Sequence, residues 1–205
     1  MTQSTVLTTP MYQLKITLLC NNPEIWRRVL VPPDITLSRL SRVIQLAMGW
    51  ENCHLHDFTI GEQRYTLPSE QTPTFWLASL AGGPKDERKI PLDRLVPKVT
   101  RTFLYEYDFG DSWQHQIQFE DIVPAARPDT APTCTEGQRA CPPEDCGGID
   151  QYHHLLKVLK RPKRDRERRE LVDWLGEELD PVCFDASLVN EELHELPINV
   201  DPYPF

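Results

Sequence analysis

Hydrophobic and polar residues alternate most clearly in the middle of the chain, between residues 103 and 119. Successive side chains of a β-strand point to opposite faces, so every second residue shares a face. Two hydrophobic sets with this spacing flank a turn signal at Gly110. Their members are Phe103, Tyr105, Tyr107 and Phe109 on the first arm and Trp113, His115, Ile117 and Phe119 on the second. The pattern predicts a central β-hairpin.

The length of the turn decides whether the two hydrophobic sets share a face. A two-residue turn would place them on opposite sides of the sheet, whereas a loop with an odd number of residues places them together. We predict a three-residue loop at 110–112, which pairs Phe109 with Trp113 and Tyr107 with His115. A bulge or a five-residue loop of the same parity is the alternative, because three-residue loops usually end with glycine rather than begin with it.

Other periodic segments predict three more strands and several helices. The strands are expected within residues 12–20, 25–31 and 53–60. Residues 36–48 instead carry hydrophobic residues at helical spacing, with Thr36 as N-cap and Gly49 as a C-terminal stop. In the second strand, Arg27 and Arg28 must point to opposite faces. Pairing of one of them with an acid inside the fold, and solvation of both, are the alternatives.

The last quarter of the chain is predicted to be helical. Its amphipathic segments are capped at Asp150, broken at Pro162 and capped again at Asp185. Residues 124–149 are predicted to form a long loop, which in a compact domain indicates a functional role or a metal clip. The sequence therefore predicts an α+β fold, a mostly antiparallel sheet with one helix after the first hairpin and a C-terminal cluster of helices.

Length and composition favour one compact domain. The chain has 205 residues, of which 40% are hydrophobic, enough to bury one good core. We expect a single domain over residues 11–197, a flexible tail at 1–10 and a C-terminal tail at 198–205. No apolar run reaches the roughly 18 residues of a membrane span, and the N-terminus lacks the pattern of a signal peptide. A cytoplasmic protein without a membrane partner is predicted.

The charge distribution disfavours a general nucleic-acid-binding protein. The formal net charge is −9, which repels a polyanion. Residues 157–170 are an exception, because they contain eight Lys or Arg and only three acids. The interleaved acids favour a solvated helix face over a phosphate-binding patch. We therefore predict no nucleic-acid binding at physiological salt and another protein as the partner; the oligomeric state is not predicted.

The distribution of the cysteines suggests a metal site. Cys134, Cys141 and Cys146 fall close together in one loop, and cysteines of a cytoplasmic chain are expected to be thiols or metal ligands. Thiolates and imidazole suit tetrahedral Zn²⁺. A structural zinc site formed by these three cysteines and His115 is therefore predicted.

Two alternatives to this ligand set remain open. The fourth ligand could be His54 or His56, which lie two residues apart and would share a face of one strand. In the other alternative no metal is bound. Prolines and backbone hydrogen bonds to Glu144 and Asp145 would then order the loop, and the thiols would simply be buried.

A wider candidate pocket combines aromatic, histidine and acidic residues from these segments. Its members are His54, His56, Tyr107, Asp108, Asp111, Trp113, His115, Glu144 and Asp145. Such groups could act as general acids and bases, or hold a three-ligand metal that activates water for hydrolysis. The chain contains no nucleophile motif, phosphate-binding loop or dinucleotide fingerprint. The pocket therefore favours recognition over catalysis, and no catalytic residue is assigned.

Four blocks, taken together, resemble the plasmid pRiA4b ORF-3-like family over almost the whole chain. They are Ile25-Trp-Arg-Arg28, Met48-Gly-Trp50 with His54-Leu-His56, Tyr105 to Trp113 with His115, and Cys141-Pro-Pro-Glu-Asp-Cys-Gly-Gly148. The resemblance implies an α+β domain encoded on plasmids and other mobile elements. Relatives often carry His at the position of Ser41, so any role of that histidine is absent from this chain.

Some relatives are described as transposon passenger proteins or resolvases. A recombinase needs a nucleophile surrounded by several arginines that hold the scissile phosphate, and this chain offers only Arg27, Arg28 and the charged segment. We expect a mobile-element accessory protein that acts as a non-catalytic binding module. A metal-dependent hydrolase using the His, carboxylate and Cys cluster is one alternative, and a DNA-associated regulator or recombination accessory factor is another.

Overall fold

A computed structural model describes residues 10–19, 22–68, 82–124 and 131–196 of the chain. The predicted tails therefore lie outside the described residues, apart from Pro10. In chain order the strands are β1 Pro10–Leu18, β2 Trp26–Val31, β3 His56–Ile60, β4 Gln63–Thr66, β5 Lys85–Asp86, β6 Thr102–Tyr107, β7 Trp113–Pro124 and β8 Thr133–Gln138. The α-helices are α1 Leu37–Met48, α2 Gly148–Leu159, α3 Arg166–Leu175 and α4 Ala186–His194.

The described strands form one eight-stranded sheet in the order β5-β4-β3-β6-β7-β1-β2-β8. The β4–β5 pair is parallel and the other neighbours are antiparallel. One face of the sheet is buried and the other is polar and wetter, which is the arrangement that alternating strand sequences produce. The predicted α+β class, with one helix after the first hairpin and helices at the C-terminus, is confirmed.

The central hairpin has the predicted parity but a different register. Tyr107 pairs with Trp113 and Tyr105 pairs with His115, so the predicted pairing of Phe109 with Trp113 is wrong by two residues. The connecting loop is the five-residue alternative, 108–112. Asp108 and Ser112 both have positive φ, and the Ser112 N–H donates to the Asp108 carbonyl over 2.6 Å. These two backbone bends close the loop early and leave Phe109 outside the sheet, 47% exposed.

Helix α1 covers the buried face of the sheet as predicted. The Thr36 side chain caps its first turn, and Gly49, at φ 84°, ends it in the left-handed conformation. Ser41 faces the interior, where its hydroxyl lies 3.0 Å from the Tyr105 hydroxyl. Gln45 donates to the same phenol oxygen over 3.0 Å. Ser41 thus belongs to a buried polar contact that joins α1 to β6.

The region predicted as a long loop contains a strand. Strand β8 pairs with β2 at the edge of the sheet, and Cys134 is buried on it. Only Cys134 of its six residues is buried, so the segment carries too few hydrophobic positions to be recognised from alternation. Helix α2 also begins three residues earlier than predicted, after Gly147, which places Asp150 in its first turn rather than at the N-cap.

Arg27 and Arg28 point to opposite faces, as the alternation of β2 requires. Arg27 is buried and donates to backbone carbonyls and the Cys141 sulfur, not to an acid. Arg28 lies on the wetter face and donates from its Nε to Glu120 over 2.6 Å. The acid-paired arginine is therefore the outer one, and neither arginine is simply solvated.

The basic segment is extensively paired with acids. Its ion pairs join Arg161 to Glu167, Arg166 to Glu170, and both Lys163 and Arg168 to Glu178. Arg168 is mostly buried and also donates to the Leu159 carbonyl over 3.1 Å. These pairs tie α3 to its flanking segments and place an acid beside four of the segment's eight basic residues.

Candidate functional site

Three separate segments meet at one end of the sheet. The hairpin loop lies beside the segment that leads into β3, where the Asp108 N–H donates to the Leu55 carbonyl over 2.9 Å. The segment before α2 closes over both, since Trp50 Nε1 donates to the Pro142 carbonyl over 3.0 Å. Most of the sequence-predicted pocket residues come from these three segments.

Two glycines allow the segment before α2 to approach the hairpin loop. Gly147 and Gly148 both have positive φ, 89° and 77°, a conformation that side chains with a Cβ rarely adopt. A Cβ at Gly148 would lie 2.9 Å from the Asp111 carbonyl oxygen. The Gly147 N–H donates to Asp111 Oδ2 over 2.9 Å. Asp111 therefore anchors the segment at the N-terminus of α2 rather than facing the cluster of side chains.

His54 lies at the centre of a group of carboxylates. Its Nε2 is 2.9 Å from Asp145 Oδ1, 3.9 Å from Asp108 Oδ2 and 4.0 Å from Glu144 Oε2. Among the described residues no Lys or Arg forms an ion pair with any of these acids. A single imidazole therefore faces three carboxylates without a basic side chain to offset their charge.

Glu144 is held by one oxygen and leaves the other free. Its Oε1 accepts from the Glu51 N–H and from the Tyr107 hydroxyl, each over 2.8 Å. Burial, followed by the hydrogen bond to Glu144, raises the pKa of Tyr107 far above its ordinary value, so the phenol remains a donor. Within the described part of the chain, Glu144 Oε2 is buried without a hydrogen-bond partner. A buried carboxylate oxygen without a donor is costly, so this oxygen is available to accept from a donor or to face a cation.

Asp108 provides a second free oxygen. The residue is 8% exposed, and its Oδ1 accepts from the Gly110 N–H over 2.9 Å. Its Oδ2 points towards His54 and accepts no hydrogen bond from the described residues. Although His54 Nε2 lies 2.9 Å from Asp145 Oδ1, it makes no hydrogen bond of normal geometry with the described residues. Two buried acids and one imidazole therefore direct side-chain atoms to a common point, and of these atoms Glu144 Oε2 and His54 Nε2 are buried without a hydrogen bond of normal geometry among the described residues.

The spacing of these atoms suits a metal ion. The ligand atoms of His54, Asp108 and Asp145 all lie within 4.8 Å of one another. A tetrahedral or octahedral ion with bonds of about 2.1 Å places neighbouring ligands roughly 3.0–3.4 Å apart, so only small side-chain movements are needed. Asp145 is the exposed member, with 70% of its side chain accessible, which gives the centre an opening to solvent.

The other two predicted histidines lie elsewhere. His56 is buried, and its Nε2 lies 2.8 Å from Glu87 Oε1. Strand β3 begins at His56, so His54 lies outside the strand. His115 is 0% exposed and packs edge-on against Trp50, with ring centroids 5.2 Å apart. The predicted face shared by His54 and His56 does not bring them into one site.

The predicted thiol cluster does not form in the described structure. Cys141 Sγ lies 3.0 Å from an Arg27 guanidinium nitrogen and 3.1 Å from the Met48 sulfur. Cys134 is held within β8, and Cys146 lines a recess next to Asp145. Burial raises the pKa of Cys134 and Cys141 to about 11 and that of Cys146 to about 12. Among the described residues these thiols and His115 do not form a metal-ligand group.

Sequence reasoning missed the tryptophan that forms the wall of the site. Trp50 stacks on Tyr107 with ring centroids 4.9 Å apart and also contacts Trp113, at 6.0 Å. Trp113 is buried beside Tyr107, with its Nε1 unpartnered among the described residues. The sequence feature that could have indicated it is the short distance in the chain between Trp50 and His54. Trp50 reaches the hairpin because helix α1 ends at Gly49.

The fold and the site define the class of protein as an α+β domain with a histidine and carboxylate cluster at one end of a mostly antiparallel sheet. The chain belongs to the plasmid pRiA4b ORF-3-like protein family, whose model matches residues 10–188. None of the described helices is long and apolar enough to cross a membrane.

Two relatives extend the comparison. Uncharacterized protein y4hQ of Sinorhizobium fredii (strain NBRC 101917 / NGR234) is 37% identical over 186 residues, which cover 90% of this chain and 91% of that protein. The chain is also similar to the crystal structure of a protein of unknown function, MM3350 from Methanosarcina mazei Go1. Their TM-score is 0.75 at 34% identity, over 87% of this chain and 96% of that one. These names assign no activity, so a function must be argued from the site.

Proposed function

We propose that the protein is a binding module that holds a divalent metal ion on His54, Asp108 and Asp145, with Glu144 beside the ion. The observation that supports this most directly is the convergence of three carboxylates on His54 Nε2, among which Glu144 Oε2 is buried without a hydrogen-bond partner in the described part of the chain. A cation would satisfy these atoms together and balance the excess negative charge. It would also clip the hairpin loop to the segment before α2, because Asp108 and Asp145 come from those two segments.

The ligand types indicate which metals the site would prefer. One imidazole nitrogen with carboxylate oxygens suits Zn²⁺ and Mn²⁺, whereas Ca²⁺ and Mg²⁺ favour all-oxygen ligand sets. By the Irving–Williams order Zn²⁺ binds more tightly than Mn²⁺ at the same site. Three protein ligands leave a coordination position open to solvent. A carboxylate or imidazole supplied by a partner protein could fill that position, in keeping with the expected protein partner.

Metal titration tests this proposal. We expect EDTA-treated protein to bind one Zn²⁺ per chain in isothermal titration calorimetry, with weaker Mn²⁺ binding. Each of His54→Gln, Asp108→Asn and Asp145→Asn should lower the Zn²⁺ affinity at least tenfold, since each removes one ligand. The Asn variants keep a side chain that tolerates the positive φ of Asp108 and Asp145, so the fold should remain intact.

Matched controls separate this site from other zinc sites. His194→Gln and Asp173→Asn alter exposed residues outside the cluster and should leave the Zn²⁺ affinity unchanged. X-ray absorption of the zinc-loaded protein should show only nitrogen and oxygen ligands. Sulfur ligands would instead support the thiol site predicted from the sequence, and failure to bind Zn²⁺ would overturn the proposal.

A metal-dependent hydrolase is the second candidate, and the free oxygen of Glu144 favours it. The metal would polarise the scissile bond and lower the pKa of bound water. Glu144 Oε2 would accept a proton from that water, whose oxygen bonds to the carbonyl carbon or phosphorus as the bond to the leaving group breaks. Glu144 would then return the proton to the leaving group. The residue would act as a general base and not as a ligand.

Chromogenic esters and phosphodiesters test the hydrolase candidate. If it is correct, the zinc-loaded protein should hydrolyse p-nitrophenyl acetate or bis(p-nitrophenyl) phosphate. Glu144→Gln should then reduce kcat about 100-fold or more, while Zn²⁺ affinity changes by less than about threefold. Equal rates for the wild type and Glu144→Gln would exclude this role of Glu144. Absence of hydrolysis by the zinc-loaded protein would leave the binding module as the function.

A further inference from the structure

A recess opens directly beside the exposed ligand of the proposed metal. Its volume is about 260 Å³, and it lies between α2, α3 and the segment that carries Asp145 and Cys146. Asp145 both lines the recess and lies 2.9 Å from His54 Nε2, so the recess adjoins the carboxylate cluster at this residue. This volume is somewhat below that of a typical drug-sized pocket, so it suits a small molecule rather than a polymer.

The recess has an apolar wall of which Trp174 is the exposed member. Leu155 and Val158 of α2 and Leu171 and Trp174 of α3 contribute to its lining. Trp174 is 54% exposed, which is unusual for a tryptophan since its large ring gains much from burial. An exposed indole on the wall of a recess can stack on a ring or a hydrocarbon chain.

We propose that the recess binds a small carboxylic acid with an aromatic or aliphatic body, whose carboxylate fills the open coordination position of the metal. The body packs against Trp174 and Leu171, and the carboxylate replaces solvent beside Asp145. The inference rests on the proposed metal site and names the ligand class of that site. It differs from the partner-supplied ligand considered above in that the occupant is a free small molecule.

Charge makes this binding dependent on the metal. Asp145 and Glu167 both line the recess. Glu167 is paired with His154 at 2.8 Å and with Arg161, whereas Asp145 has only His54 within ion-pair distance among the described residues. Without a cation, Asp145 repels an incoming carboxylate. A divalent ion would neutralise most of the negative charge around His54, and its open coordination position would attract an anion. The metal therefore decides whether the recess accepts anions.

Calorimetry with simple probes tests the inference. In zinc-loaded protein, 3-phenylpropionate should bind at least tenfold more tightly than acetate, which has the same head group without the apolar body. It should also bind at least tenfold more tightly than phenethylamine, which has the ring but a cationic head. In EDTA-treated protein the preference for 3-phenylpropionate over phenethylamine should disappear.

Trp174→Ala provides the decisive variant because it lies outside the metal ligands. It should weaken 3-phenylpropionate binding about tenfold and leave acetate and Zn²⁺ binding unchanged. Leu188→Ala is the matched control, since Leu188 is an exposed apolar residue of α4 outside the lining. Unchanged probe binding in Trp174→Ala, or probe binding that does not require zinc, would overturn the inference while leaving the metal site intact. Absence of Zn²⁺ binding would overturn both.

Discussion

Acidification to pH 4 is expected to cost the folded protein about 3 kcal/mol of stability through His115 alone. The side chain is 0% exposed. Trp50 packs edge-on against the ring, and Tyr105 lies 5.8 Å away between ring centroids. Neither ring nitrogen makes a hydrogen bond of normal geometry within the described part of the chain. Burial therefore lowers the pKa of His115 from about 6.5 to about 4, against a smaller opposing effect of the Tyr105 and Trp113 backbone.

The direction follows from proton uptake by the two states. Above pH 6.5 His115 is neutral in both the folded and the unfolded chain, so stability is complete. As the pH falls below 6.5, the unfolded chain takes up a proton that the folded chain does not accept until the pH is near 4. Stability is therefore lost between pH 6.5 and pH 4, by about 1.4 kcal/mol for each tenfold rise in proton concentration.

Urea unfolding at pH 7 and pH 4.5 measures this effect. His115→Phe keeps a flat ring among the aromatic neighbours and removes the titrating group, so it should lose about 2–3 kcal/mol less than the wild type over this interval. Acids that titrate in the same range contribute to both proteins and cancel in the comparison. His194→Gln, an exposed substitution on α4, should follow the wild type. If His115→Phe loses as much as the wild type, His115 is not the buried neutral group described here.

The sequence predicted the faces of strands more reliably than their register. Parity depends only on alternation, which is why Tyr105, Tyr107, Trp113 and His115 were correctly placed on one face. Register depends on how the turn closes. The positive φ of Asp108, a residue type that tolerates this conformation, begins the turn one residue before Phe109. Nothing in the alternating pattern carries that information.

The residues of the candidate site were easier to predict from the sequence than the contacts between them. The short chain distance between His54 and His56 suggested one shared site, but the start of β3 at His56 directs them to different partners. Glu87, the partner of His56, lies in a weakly patterned segment and was not selected. Similarly, the proximity of the cysteines in sequence did not produce a cluster, because Cys134 belongs to a strand while Cys141 contacts Arg27. Tertiary pairing, which a single sequence does not encode locally, decided each case.

Replacing Arg27 by Lys is expected to destabilise the protein by about 3–5 kcal/mol, because several carbonyls lose their donor and each such loss costs about 1–3 kcal/mol. Arg27 is 3% exposed and donates to four backbone carbonyls, those of Trp26, Ala47, Gln138 and Arg139, over 2.8–3.0 Å. Its guanidinium also lies over the Phe184 ring, 4.2 Å from the centroid. The ammonium of Lys has donors on only one nitrogen and cannot reproduce this planar arrangement. The buried carbonyl of Ala47 and the partly buried carbonyls of the other residues would then lose donors.

Arg28→Lys is the matched control because it changes the neighbouring residue on the opposite face. Arg28 pairs with Glu120 and Glu136, and 23% of its side chain is exposed, so the loss should stay near 1 kcal/mol. Urea unfolding of both variants at pH 7 measures the difference. Similar losses for the two would mean that the carbonyl contacts of Arg27 contribute no more than a partly exposed ion pair.

Arg27→Lys should also lower the metal affinity of the proposed site, although Arg27 contacts none of its ligands. Arg27 fixes the carbonyls of Gln138 and Arg139 and the sulfur of Cys141, and the chain continues from there to Glu144 and Asp145. Loosening this anchor lets Asp145 move relative to Asp108, which lies on the hairpin loop. We therefore expect a several-fold loss of Zn²⁺ affinity in Arg27→Lys and none in Arg28→Lys. A stability loss without any change in metal affinity would show that the segment before α2 is held mainly by Asp111 and Trp50.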